Sequence, residues 1–284
     1  MDDTLQKIHL VCLDLLEQLD TICREEGIEY TLSSGSLLGA VRHKGFIPWD
    51  DDIDVAMTRD NYNKFLKVAG SHLDNDKYYL EHYSLCDYAS VEFAKLRNNY
   101  TTFVNIENTS RKMNHGISID VFPVDKVPDL KSAAKLSRAY RILYTISAST
   151  IPSLVKTVRS PLKRFLSYFI KPIGLIWGYN NIMAKEDKIY QRYNDTDARY
   201  TTADIIKKNK IMPYEWFEEY TDVEFEGRKF RSIVNYDGYL STVYGDYMTL
   251  PPEDKRVTHL ADLVDPYRSY KEYLDEKGVI RCKR

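Results

Sequence analysis

The stretch WDDDIDVAM, residues 49–57, constrains the fold of this chain more than any other. It sets Asp50, Asp51, Asp52 and Asp54 at the entry to an apolar strand. Successive side chains on a strand point to opposite faces. Extended over residues 52–57, the segment places Asp52 and Asp54 on one face and Ile53, Val55 and Met57 on the other. The apolar set belongs in a core. The acidic set faces a cleft or solvent, joined by Asp50 if the chain is already extended there, while Asp51 points away. Carboxylates at i and i+2 lie about 7 Å apart along the backbone, so their oxygens can converge. Without a cation they repel one another and one pKa rises. With Mg²⁺ the repulsion becomes useful, because hard divalent ions take oxygen ligands. A solvated acidic loop is the competing reading, since surface acids are common.

A second strand repeats the pattern. In HGISIDVFP, residues 115–123, Ile117, Ile119 and Val121 form one face and Ser118, Asp120 and Phe122 the other. Asp120 is a lone acid in an apolar strand, a costly placement unless it is paired or bound to metal. Ahead of the acids, Gly35 and Ser36 lie between a short strand and a helix start. Backbone N–H groups there can cradle a phosphate, and the hydroxyl adds a hydrogen bond, although turns use both residues widely. Arg42 and Lys44 are candidates to face phosphates. Lys95 and Arg97, at i and i+2 on a strand, are candidates for the same cleft. For each cation a solvated charge is the alternative. His43 reads as a loop residue.

Elsewhere the periodicity predicts an amphipathic helix over 3–26, stopped by Gly27, and a helix over 36–42. Another helix opens at Thr58, with Tyr62, Phe65, Leu66 and Val68 inward. Strands are expected near 29–32, 52–57, 78–83, 91–97, 101–106 and 117–122, and a hairpin over 222–231 turning at Gly227. Residues 130–193 read as helical, broken near Pro152, Pro161 and Pro172. The expected class is α+β: a mixed sheet carrying the acids, with helices around it. Tyr236, Tyr239, Tyr244 and Tyr247, with Trp216, either box a quaternary ammonium or simply pack, in a chain with 23 tyrosines. Lys255, Arg256 and His259 meet phosphate or lie on the surface.

The net charge of −2 conceals an asymmetry. Residues 130–185 hold no Asp or Glu but ten Lys or Arg, which leaves 30 basic against 42 acidic residues elsewhere. Within this block, residues 141–171 interleave cations with Ile, Leu, Phe and Tyr. That pattern suits a helix lying on an anionic membrane, or a packed helix with a solvated basic face. Nucleic acid is disfavoured, because the remainder is acidic and carries no recognised motif. No run of about 18 apolar residues argues for a membrane span. The first residues lack the basic and apolar pattern of a signal peptide. Cys12, Cys23, Cys86 and Cys282 are scattered, which fits a reducing cytosol and neither a zinc site nor a disulfide framework.

Gly35-Ser36 followed by Asp52-Ile-Asp54-Val resembles the signature of the nucleotidyltransferase fold. The longer run SGSLLGAVRHKGFIPWDDDIDVAM resembles the LicD family of phosphotransferases, relatives of the fukutin-related glycan enzymes. The likeness continues through Lys95-Leu-Arg97, GISIDVFP at 116–123 and YGDYMTLPP at 244–252. It implies a nucleotidyltransferase-like core over 1–128, a basic helical segment over 129–193, and a region over 194–284 packed on the core. It implies that Asp52, Asp54 and Asp120 hold Mg²⁺, as two ions, with Asp50 a further ligand. The implied reaction moves a phosphate-linked group, foremost phosphocholine from CDP-choline, to a hydroxyl of a cell-surface glycan or teichoic acid precursor. A polyol-phosphate transferase is the alternative within the class, and a non-catalytic membrane-surface adaptor is the alternative outside it. The expected location is the cytoplasm, at the inner face of the membrane where the acceptor is lipid-linked.

Overall fold

The structure, a computed structural model, describes residues 3–202, 210–258 and 260–280. The chain opens with α1 (Asp3–Glu26), whose Leu5, Ile8, Leu15, Leu16 and Leu19 form one buried stripe. Gly27 ends it in the left-handed conformation, φ +59°, which glycine adopts without Cβ strain. Next come β1 (Thr31–Leu32), α2 (Ser34–His43), β2 (Asp54–Thr58) and α3 (Arg59–His72). Strands β3 (Tyr78–Glu81), β4 (Ala94–Asn98), β5 (Thr102–Val104) and β6 (Ser118–Val124) follow.

Among the described residues, the largest sheet runs β1-β2-β6-β4-β3. Strands β2 and β6 are parallel and the remaining neighbours antiparallel. Val55, Met57, Leu96, Ile119 and Val121 share one face, are fully buried, and pack with α1 and α3 in one core. That packing turns Asp54, Asp120 and Lys95 to the opposite face. Strand β2 begins at Asp54, so Asp52 belongs to the loop leading into it. Strand β5 leaves the main sheet and pairs with β12 (Leu263–Asp265).

After the short β7 (Lys126–Val127) the chain becomes helical: α4 (Leu130–Ser149), α5 (Pro152–Thr157), α6 (Pro161–Trp177) and α7 (Tyr179–Tyr190). Pro152 and Pro161 stand in first turns, where the missing N–H costs nothing. Pro172, expected to break the segment, lies inside α6 without ending it. A buried ion network fastens these helices to the sheet. Arg59, the first residue of α3, binds Asp125 after β6 at 2.5 Å and Asp187 on α7 at 2.9 Å.

A small sheet joins β7, β8 (Tyr200–Thr202) and β9 (Ile211–Pro213). The hairpin of β10 (Tyr220–Phe225) and β11 (Arg228–Ile233) turns through Glu226 and Gly227. Both have positive φ, 50° and 70°, the pair of left-handed residues a tight hairpin turn needs. Helix α8 (Tyr236–Tyr244) completes the C-terminal region. Phe225, Phe230, Ile233 and Leu240 enter the same core as α1 and β2.

Candidate active site

The site is built on one row of the sheet. Asp54 is the register partner of Asp120 across the parallel β2–β6 pair. Asp120 is in turn the partner of Lys95 across β6–β4. Neighbouring strands lie about 4.8 Å apart, so the three side chains project together from one face. Asp120 N–H donates to the Ile53 carbonyl at 2.9 Å, which fixes the stagger of the two acidic strands. The Lys95 ammonium donates to Asp120 Oδ1 at 2.5 Å and lies 5.3 Å from the Phe93 ring centre. Phe93 packs on Phe122 of the same strand face, centroids 4.3 Å apart.

The glycine-serine turn serves the acids directly. Ser36 is buried at the start of α2, and its Oγ accepts the Asp54 N–H at 2.8 Å. The Ser33 N–H donates to the Asp54 carbonyl at 2.9 Å. Tyr239 on α8 places its hydroxyl 3.0 Å from Ser33 Oγ and accepts the Ser34 N–H at 3.1 Å. Gly35 is where the Asp50 carboxylate rests: a Cβ there would meet Asp50 Oδ2 at 2.5 Å. The expected phosphate cradle therefore presents Asp50 at the positive end of α2, rather than an open row of N–H groups. His9 on α1 stacks on Phe46, centroids 3.9 Å apart, and its Nε2 bonds the Asp50 carbonyl at 2.7 Å.

The carboxylates raise one another. The Asp54 carboxyl is pushed well above the usual range, first by burial and then by Asp52, Asp120 and Asp50, with Lys95 opposing. Asp52 reaches about 7, by desolvation and then Asp50, Asp120 and Asp51. Asp52 is exposed at the surface, whereas Asp54 is half-buried. Asp51 is buried, 8% exposed.

The cations divide. Lys95 is in the row of acids. Arg97, expected beside it, is 5% exposed and committed elsewhere. Its guanidinium binds Glu81 on the edge strand β3 at 2.6 Å, the Gly116 carbonyl at 2.9 Å and Ser90 Oγ at 3.1 Å. A guanidinium so engaged is a structural tie, which corrects the expectation that it meets substrate. Lys44 is the exposed left-handed cap of α2, φ 59°. Arg42 donates to His43 Nε2 and to the Tyr247 carbonyl, each at 2.9 Å.

Two side chains for which the sequence left alternatives open, Tyr244 and Arg256, come near the acidic loop. The Tyr244 phenol is raised by burial and by Tyr239, Asp54, Asp50 and Asp52. The Arg256 guanidinium lies 5.3 Å from the Trp49 ring centre, and Arg42 is lowered first by burial and then by the Arg256 charge. The aromatic box does not assemble. Tyr239 is buried against Phe217, Tyr247 bonds Asp237 at 2.6 Å, and the phenols of Tyr244 and Tyr239, raised first by burial, both also feel the Asp54 charge. His259 lies outside the described residues.

Hard oxygen donors crowded together suit a divalent cation, and the ammonium on Asp120 already stands as one positive group among them. The fit is one of chemistry and charge. Among the described residues, no three His, Cys, Asp or Glu side chains converge as a ready-made metal cluster.

The model of the LicD/FKTN/FKRP nucleotidyltransferase domain matches residues 27–133, the stretch that holds every strand of the main sheet and all four acids. That match identifies the class as a LicD-type phosphotransferase with a nucleotidyltransferase domain. Along its length the chain is 30% identical to the lipopolysaccharide cholinephosphotransferase LicD of Haemophilus influenzae, over 272 residues covering 90% of this chain and 96% of that relative. The chain belongs to the LicD family and is an enzyme. Shorter matches reach uncharacterized proteins of Rickettsia typhi, 32% identical over 81 residues, and Rickettsia prowazekii, 38% over 55; each covers about a quarter or less of either chain. Membership of an enzyme family sets the adaptor reading aside.

Proposed function

We propose that this enzyme transfers phosphocholine, or a closely related phosphate-linked group, from a CDP-linked donor to a hydroxyl of a cell-surface glycan. The observation that carries the reading is the register pairing of Asp54 with Asp120, flanked by Lys95. The cholinephosphotransferase activity of the Haemophilus relative supports choline as the headgroup. Asp50, Asp52, Asp54 and Asp120 would hold Mg²⁺, and the ions would neutralise the donor's phosphates and the departing nucleotide.

The chain's own groups do the rest. Phosphoryl transfer asks chiefly for in-line positioning and charge neutralisation. The acceptor oxygen forms a bond to phosphorus as the bond to the CMP oxygen breaks. Asp120 takes the hydroxyl proton. Lys95, held on Asp120 and against Phe93, orients that carboxylate and adds positive charge beside the phosphates. Arg42, Lys44 and Arg256 would attract the anionic donor. A lipid-linked acceptor would be met at a membrane surface in the cytoplasm, with the basic segment 141–171 making the contact.

The experiment is incubation with Mg²⁺ and a panel of CDP-linked donors plus a glycan acceptor. Release of CMP with CDP-choline supports the reading. CMP release with only a CDP-polyol would move the headgroup, and pyrophosphate release from a nucleoside triphosphate would replace phosphotransfer by nucleotidyl transfer.

A further inference from the structure

Helix α6 is inside out for a helix packed on a water-soluble protein. Leu162, Phe165, Leu166, Phe169, Ile173 and Ile176 recur at helical spacing and make one stripe. All six are exposed, from 43% for Ile173 to 82% for Ile176. The side that meets α4 is the small one. Gly174 is the buried residue of the helix, and a Cβ on it would meet Thr150 Cγ2 at 2.5 Å and the Ile146 carbonyl oxygen at 2.8 Å. The glycine lets the two helices close together and leaves the bulky apolar face outward. An exposed apolar patch of this extent marks an interaction surface.

The charges around the stripe identify what meets it. Lys156, Arg159, Lys163 and Arg164 are exposed just before and within its first turn. Lys185 Nζ lies 5.5 Å from the ring centre of Trp177, the residue that closes the helix. No acid occurs from residue 130 to 185, whereas the rest of the chain is strongly acidic. The helical block is thus drawn to a negative surface while the acidic remainder of the chain is repelled from it. With 17 residues, α6 is about 25 Å long, short of the roughly 30 Å hydrocarbon core, and it carries three cations. No helix among the described residues is long and apolar enough to cross a membrane.

We propose that α6 lies in the plane of an anionic phospholipid surface, its apolar stripe at the acyl boundary and its flanking Lys and Arg side chains among the headgroups. The contact is narrower than the 141–171 segment and displaced along the chain, because Ile146, Ile151 and Val155 are buried. The purpose rests on the reading of a lipid-linked acceptor. The binding itself does not.

The full chain is sedimented with vesicles of phosphatidylcholine alone and of phosphatidylcholine with phosphatidylglycerol, alongside the double variant Phe165→Glu/Phe169→Glu. The wild type should pellet with the anionic vesicles and release at high salt. The variant should lose binding by about tenfold or more, while keeping its thermal midpoint and its CMP release with a water-soluble acceptor. Equal binding by variant and wild type would overturn the proposal, as would no binding to anionic vesicles. A wild-type dimer in gel filtration that the variant abolishes would assign the stripe to a second copy and overturn it as well. Vesicle binding without any CMP release would leave α6 as proposed and sink the phosphotransfer reading instead.

Discussion

The β2–β6–β4 face and helix α6 break the same rule in opposite directions. A folded chain normally hides apolar groups and exposes charge. On the sheet, carboxylates are crowded together where burial raises them. On α6, six large apolar side chains face outward while a glycine occupies the packed side. Neither arrangement stabilises the free chain. Under the proposed function and the proposed α6 contact, each would become favourable when its partner arrives, polyanionic substrate with cations on the sheet and lipid on the helix. On these proposals, departures from the burial pattern locate the working surfaces better than the core does.

The comparison fails first if the acids are merely structural. Asp54→Asn and Asp120→Asn should each cut turnover by about a thousandfold or more, measured as CMP release. The thermal midpoint of Asp54→Asn should hold or rise, because the change relieves repulsion. Glu81→Gln tests the contrasting kind of buried charge. It strands Arg97, so it should cost about 3–5 kcal/mol in denaturant unfolding, with turnover per folded molecule retained.

A third buried acid sharpens the distinction between strain at the site and strain elsewhere. Glu186 on α7 is 2% exposed, and its Oε1 has no hydrogen-bond partner among the described residues. Burial, then Glu92, lifts its carboxyl to about 8. A folded pKa above the unfolded value gives stability that is whole below about pH 4.5 and is lost as pH rises through 8. Glu186→Gln should accordingly stabilise the protein by roughly 1–3 kcal/mol at pH 8.5 and by little at pH 5, read by thermal unfolding at the two pH values. The smallest effect is expected at Arg256. Arg256→Ala should raise KM for the donor a few-fold and leave kcat nearly unchanged, since a peripheral cation acts on encounter and binding.

Much of the sheet was legible because alternation exposes it. Val55, Met57, Ile119 and Val121 betray a core face, and Asp54 and Asp120 must then take the other. What alternation cannot give is register. Nothing local states that β2 and β6 run parallel, or that Asp54, Asp120 and Lys95 share one row. The same blindness explains Arg97. Its spacing from Lys95 correctly puts both on one face, but Glu81 comes from a different strand and is invisible in the local pattern. Ser36 reads locally as an anion binder, whereas its acceptor role toward Asp54 N–H depends on where β2 returns. In the basic segment, amphipathic composition was visible. Which side of α6 packs was not, because that is decided by the contact of Gly174 with Ile146 and Thr150.

The central claim is that Asp54 and Asp120 act as one centre, and a double-mutant cycle on CMP release from CDP-choline tests it most directly. The account predicts that Asp54→Asn/Asp120→Asn is no slower than the worse single variant, because either change alone already disables the shared site. Single variants that keep turnover within about tenfold of wild type, or losses that multiply as for independent residues, would contradict it.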